Sequence, residues 1–193
     1  MRIIAGEKKS RKLIAPDGLD TRPTGDKARE ALFSILGSRV WDCSFLDLYA
    51  GSGAVALEAL SRGAGEAVLC DKDRKAAKAI LANITALDYA AKARFLPMTD
   101  LTAVETLSRE GKCFDIVFLD PPYAMDTAPI CEKMRESGLI GPDTLLVIEH
   151  RHETPPALSE AFMLTDRRRY GIAGISFYKI VTDTNLEQIS EGE

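Results

Sequence analysis

The chain has 193 residues, 46% of them apolar and 28% charged, with 14 glycines and 9 prolines; these proportions exclude a collagen-like or wholly disordered chain and fit one folded domain with a small appendage. No apolar run approaches the ~18 residues of a membrane span, and the start MRIIAGEKKSRK is basic without the apolar stretch of a secretory signal. The net charge of −4 argues by itself against a nucleic-acid partner, yet residues 1–40 hold nine Lys/Arg against five Asp/Glu while the remainder hold 16 against 24, the pattern of a basic arm on an acidic body.

In chain order, Arg2 to Gly6 and Lys12 to Pro16 are short apolar runs flanking a polar turn, which predicts a β-hairpin. After a Pro/Gly loop, Ala28, Leu32, Ile35 and Leu36 share one helical face that ends at Gly37. From Ser44 the chain alternates. Strands are expected at 45–49, 67–70, 93–96, 114–119 and 145–148, and helices at 54–61, 73–86 and 125–136. Nearly continuous apolar strands between helices predict an α/β fold with a parallel sheet covered on both faces. The runs 162–164 and 175–181 have no helix between them and read as an antiparallel hairpin at the sheet edge. Residues 183–193 read as a loose acidic tail. Cys43, Cys70, Cys113 and Cys131 are far apart with no CxxC pair, which argues for reduced thiols and a cytoplasmic protein rather than a zinc or disulfide framework.

Asp47-Leu48-Tyr49-Ala50-Gly51-Ser52-Gly53 joins the first apolar strand to its helix. Glycines allow a sharp turn and a close ligand approach, and the helix start beyond offers amide donors. Asp71, 20 residues after Gly51, ends the next strand, where a carboxylate can accept from both ribose hydroxyls. A dinucleotide and S-adenosylmethionine both fit that spacing. Asp47 favours the second, since a carboxylate repels a pyrophosphate but attracts the ammonium and sulfonium of S-adenosylmethionine.

Asp120-Pro121-Pro122-Tyr123 follows a later strand. Two prolines force the chain out of the sheet and remove two N–H donors. What remains is a carboxylate and carbonyls, an acceptor-only site suited to a substrate NH₂ group. An exocyclic amine is a poor nucleophile because its lone pair is delocalised into the ring. Acceptors on both hydrogens, Asp120 Oδ and the Pro121 carbonyl, bias the nitrogen toward a tetrahedral form whose lone pair points at an electrophile. Tyr123 supplies a flat face on which a base can stack.

Together the two motifs resemble those of Rossmann-like class I methyltransferases that use S-adenosylmethionine, with Asp120 to Tyr123 as the [DN]-PP-[YF] motif. With Arg2-Ile3-Ile4-Ala5-Gly6, Lys9 to Leu13, Arg22-Pro23-Thr24 and Ala28 to Phe33 added, residues 1–182 are similar to the RsmD family, which methylates N2 of a guanine in 16S rRNA. The resemblance implies a seven-stranded, mostly parallel sheet with an antiparallel last strand and an N-terminal β-hairpin. It divides the chain into an RNA-binding extension (1–40), a methyltransferase domain (41–182) and the tail. Cofactor contacts are implied at Asp47, Tyr49, Gly51, Ser52, Gly53, Asp71, Lys72 and Asp100, the last in a loop near the adenine amine. The catalytic set is Asp120, Pro121, Pro122 and Tyr123. The family often carries Glu at the place of Asp71 and a glycine before Arg11. Adenine-N6 and glutamine-N5 methyltransferases share the tetrapeptide, so those NH₂ substrates remain alternatives.

Arg2, Lys9, Arg11, Lys12, Arg22 and Arg29 are the expected RNA contacts, phosphate contacts that position RNA without reading its sequence. The implied partner is 16S rRNA, alone or within the 30S subunit or an assembly intermediate, bound by a monomer. Arg167-Arg168-Arg169 after the 162–164 strand could hold a further phosphate or guard a sheet edge. His150 and His152 lack a third ligand at metal spacing, and 149–152 is expected to be a polar loop without metal.

Overall fold

A computed structural model describes residues 1–16 and 24–181. Its elements are α1 (Thr24–Leu36), β1 (Ser44–Asp47), α2 (Ala54–Ser61), β2 (Glu66–Cys70), α3 (Arg74–Leu87), β3 (Ala93–Leu96), α4 (Asp100–Arg109), β4 (Ile116–Leu119), α5 (Ala128–Glu136), β5 (Leu145–Arg151), β6 (Phe162–Tyr170) and β7 (Ala173–Ile180), with a 3-10 turn at Gly37–Val40. The seven strands form one sheet in the order β3-β2-β1-β4-β5-β7-β6. Strands β1 to β5 pair in parallel, and β7 runs antiparallel to both β5 and β6. The expected Rossmann-like sheet with an antiparallel final strand is present.

Alternation along the strands builds two cores. Phe45, Leu69, Ile116, Phe118 and Val147 face α1, α2 and α3, while Leu46, Val68, Val117, Leu119 and Leu146 face α4 and α5. Each fully buried side chain of this size contributes about 1.5–3 kcal/mol. Ile3 and Leu13 from the N-terminal arm enter the first core.

Four expectations are corrected. The N-terminal hairpin is reduced to one antiparallel bridge, Arg2 with Lys12, closed by Ile3 N–H to the Arg11 carbonyl and Ser10 N–H to the Ile3 carbonyl, both at 2.9 Å. The arm instead gives its backbone groups to α2 and α3. The segment 100–109 is helix, with Thr99 Oγ1 capping the Thr102 amide and Ala103, Val104 and Leu107 buried, so Asp100 opens a helix rather than lying in a loop. Residues 149–151 continue β5 instead of forming a loop, because β7 pairs with Glu149, His150 and Arg151. Arg167, Arg168 and Arg169 lie within β6, whose outer edge is the sheet boundary, rather than after it. The acidic tail and Arg22 lie outside the described residues.

Candidate active site

In a parallel sheet the ligand-binding crevice lies beyond the carboxyl ends of the strands. Here β1 ends in Asp47, β2 leads into Asp71, β4 leads into Asp120, and Glu149 lies near the end of β5. Past β1, the Leu48 amide still bonds the Phe118 carbonyl (3.1 Å) and the Ala50 amide the Cys70 carbonyl (2.9 Å). The glycine turn is therefore held between its two neighbouring strands. Gly51 (φ +57) and Gly53 (φ +78) both lie in the left-handed region. A Cβ on Gly53 would come 2.8 Å from Leu69 Cδ2, whereas nothing lies within 4 Å of the corresponding point at Gly51. Gly53 is thus required by packing, and Gly51 leaves open space beside the turn.

Asp71 braces this turn. Its Oδ2 accepts from the Gly51 amide at 2.8 Å and its Oδ1 from the Asp73 amide at 2.9 Å. Asp73 in turn caps α3 through the Lys75 amide. Lys72 is exposed beside Asp71. Tyr49 donates its hydroxyl to Asp100 Oδ2 at 2.5 Å, and burial followed by this carboxylate pushes the phenol pKa up. Ser52 is buried, with its Oγ donating to Met1 Sδ and its carbonyl accepting from Asn83 Nδ2 at 2.9 Å.

Asp47 is 1% exposed and its Oδ1 has no hydrogen-bond partner. Burial above all, then the charges of Asp120 and Asp71, push its carboxyl up to about 8, against the lowering effect of the Ala56 and Tyr49 amides. A buried acceptor without a partner costs free energy that a cationic ligand would relieve. The unpartnered Asp47 oxygen therefore fits the ammonium end of S-adenosylmethionine.

Two cavities meet at this crevice. One, of about 250 Å³, is lined by Asp47, Tyr49, Gly51, Ser52, Asp120 and Glu149 among others. The second, of about 370 Å³, is lined by Pro121, Tyr123, Met125, Glu149, His150 and Pro155 among others. They adjoin at Asp120-Pro121, and Glu149 lines both. Asp120 and Pro122 are exposed and Pro121 is buried. The Met125 amide bonds the Pro122 carbonyl at 2.8 Å, which closes the turn. Tyr123 is 37% exposed, with the Arg151 guanidinium 5.7 Å from its ring centroid. His150 bonds Ser176 Oγ through Nε2 and the Arg151 carbonyl through Nδ1, both at 2.8 Å, so both ring nitrogens are engaged within the protein. Burial lowers its pKa, helped by Arg167.

Of the expected residues, Asp47, Tyr49, Gly51, Ser52 and Asp120 line the first cavity and Pro121 and Tyr123 the second. Asp71 and Asp100 join the first set through their bonds to Gly51 and Tyr49, whereas Gly53, Lys72 and Pro122 line neither of these cavities. The basic residues scatter. Arg2, Lys9, Arg11 and Lys12 are exposed on the arm, and Arg11 also donates to the Ala86 carbonyl at 2.8 Å. Arg29 is only 6% exposed. It donates to the Arg2 carbonyl (2.7 Å) and Asp26 (3.0 Å) and lies 3.9 Å from Glu58, so its guanidinium fastens the arm from within.

Three residues were missed. Glu58, fully buried, accepts from the Ile4 and Ala5 amides and from Arg62. Asn83, 1% exposed, bonds the Ile14 amide and carbonyl as well as Ser52. Glu149 lines both cavities. The signal for the first two was a polar residue on an otherwise apolar helical face, as with Glu58 in AVALEALS.

The profile of a family described as "Conserved hypothetical protein 95" matches residues 1–179. The Escherichia coli (strain K12) protein named ribosomal RNA small subunit methyltransferase D is 36% identical over 154 residues, covering 79% of this chain and 76% of its own. The solved structure of yhhF from Escherichia coli superposes with a TM-score of 0.80 at 33% identity, covering 93% of this chain and 97% of that one. SMU.776, solved in complex with SAH, shares the fold at a TM-score of 0.66 and 15% identity, over 80% of this chain and 48% of that one.

Proposed function

The chain belongs to the family described as "Conserved hypothetical protein 95", the RsmD family, and from that membership we propose that it methylates rRNA, using S-adenosylmethionine to modify the exocyclic N2 amine of a guanine in 16S rRNA. The observation that carries the reading is the junction of the two cavities at Asp120-Pro121, one walled by the glycine turn and Asp47, the other by Tyr123. An NH₂ group held at that junction faces the cofactor side with its ring on the other.

When bound, S-adenosylmethionine supplies an electrophilic methyl group. Asp47 would hold its ammonium, Asp71 its ribose hydroxyls, and the Tyr49–Asp100 pair the adenine side. Asp120 Oδ and the Pro121 carbonyl accept from the two amine hydrogens, and Asp120 also takes the proton that the substituted nitrogen loses. Tyr123 stacks on the base, which must be flipped out of any helix to enter.

Glu149 supports guanine over adenine. The Watson–Crick edge of guanine offers N1–H beside N2–H₂, and a second carboxylate accepts from it. Adenine offers an N1 lone pair there, which a carboxylate repels. The reading places a monomer in the cytoplasm, meeting 16S rRNA within the 30S subunit or its precursor. Transfer of labelled methyl from S-adenosylmethionine into naked 16S rRNA, 30S particles, DNA and protein tests it. Label is expected in the rRNA as N2-methylguanosine; N6-methyladenosine or labelled protein sinks it.

A further inference from the structure

The basic turn of the arm lies at the end of the molecule away from the crevice. The Glu7 amide bonds the Ser61 carbonyl (2.8 Å) and the Lys8 amide Ser61 Oγ (3.0 Å), at the last residue of α2, while Arg11 reaches the Ala86 carbonyl near the end of α3. Both helices begin beside the crevice, and α2 alone accounts for about 12 Å of separation.

Trp41, the sole tryptophan of the chain, lies at this far end and is 76% exposed. Its ring rests on Gly63, where a Cβ would come 2.6 Å from Trp41 Cε3. The benzo ring of the indole therefore packs against the Gly63 backbone and leaves most of the side chain open to solvent. A cavity of about 690 Å³ adjoins it, lined by Gly6, Glu7, Trp41, Arg62, Gly63 and Lys92 among others. Lys8, held over the Tyr89 ring (5.5 Å), and exposed Lys9 and Arg11 flank it. Glu7 and Asp42 line the cavity opposite Arg62 and Lys92, with Arg62 paired to Glu58, so the excess of cations comes from Lys8, Lys9 and Arg11 on the arm. A protein-binding tryptophan usually sits in a well-packed pocket ringed by contacts that exclude water; the walls here are mostly glycines and charged residues, with Leu60 and Ala64 between them. A flat aromatic ring in a basic surround is the arrangement that holds single-stranded nucleic acid.

We propose that this surface is a second RNA-docking site, where an unpaired base stacks on Trp41 and the flanking phosphates meet Lys8, Lys9, Arg11 and Lys92. The inference rests on the reading of an RNA substrate. It assigns the far end to a different segment of that RNA from the one bearing the target base. Because Trp41 is the sole tryptophan, its emission reports the contact directly. Titration of the full chain with a fluorophore-labelled single-stranded oligouridylate should quench Trp41 as anisotropy rises. Trp41→Ala should weaken the oligonucleotide by about tenfold. Lys9→Glu combined with Lys92→Glu should flatten the salt dependence by about 0.7 of slope per phosphate lost. S-adenosylhomocysteine binding should be unchanged in both variants. Oligonucleotide that binds without quenching, and binds Trp41→Ala as tightly, overturns the proposal and leaves the surface to a protein partner, with the methylation reading intact. Oligouridylate that does not bind the unmodified protein also overturns the proposal, while the methylation reading is decided separately by methyl transfer into 16S rRNA or 30S particles.

Discussion

Asp47 ties cofactor binding to pH. Its carboxyl, pushed up to about 8 in the cofactor-free protein, is roughly 90% protonated at pH 7. A ligand ammonium at Asp47 Oδ1 requires the ionised form, so binding at pH 7 should release about 0.9 proton. Affinity should rise nearly tenfold from pH 6 to pH 7 and level off above about pH 8. Calorimetry of S-adenosylhomocysteine in buffers of different ionisation enthalpy measures the released proton, and Asp47→Asn should abolish the release while weakening binding. Stability carries the opposite sign. The folded protein keeps this proton to higher pH than the unfolded chain, whose aspartate titrates near 3.8. Asp47 thus lowers cofactor-free stability as pH climbs from about 4 to about 8, at up to ~1.4 kcal/mol per unit. A flat affinity between pH 6 and pH 8 with no proton released would refute the placement of a cation at Asp47.

Asp120→Ala, which removes the acceptor outright, should lower methyl transfer at least ~100-fold, as for loss of one transition-state contact, while S-adenosylhomocysteine affinity stays within about twofold; filter-binding and calorimetry read the two separately. Asn83→Leu leaves the Ile14 amide and carbonyl and the Ser52 carbonyl without a partner, and should cost about 2–4 kcal/mol in urea unfolding. Gly53→Ala combines a left-handed backbone with a 2.8 Å approach to Leu69; about 1–3 kcal/mol of stability should be lost, together with cofactor affinity.

Most of the sheet was legible because its strands are short apolar runs with a single reading. Ile116 to Leu119 is buried at every position, and no other element suits such a run between helices. The site motifs were legible for a related reason, since left-handed glycines and a Pro-Pro pair leave few backbone alternatives. What escaped notice depended on contacts across the chain. Glu149 reads as polar loop until β7 pairs with it, and Arg167 to Arg169 read as following the 162–164 strand until their pairing with β7 shows that they belong to it. Arg29 has the charge of an RNA contact, and only the fold reveals that Glu58 and the Arg2 carbonyl enclose it. The hairpin expectation counted apolar runs correctly, but the arm's backbone partners lay in α2 and α3.

The arm's fastening has a consequence for the order of folding. Ile4, Ala5 and Lys8 bond residues 53 or 54 positions later, Ile14 one 69 later and Arg11 one 75 later. During synthesis the first dozen residues emerge long before α2 and α3 exist to receive them. Loop closure over such spans comes after the local contacts that build each helix. Docking of the arm is thus a late step that can also reverse on its own, and the Ile4, Ala5 and Ile14 amides should exchange with solvent through openings that leave the β1–β4 pairing closed.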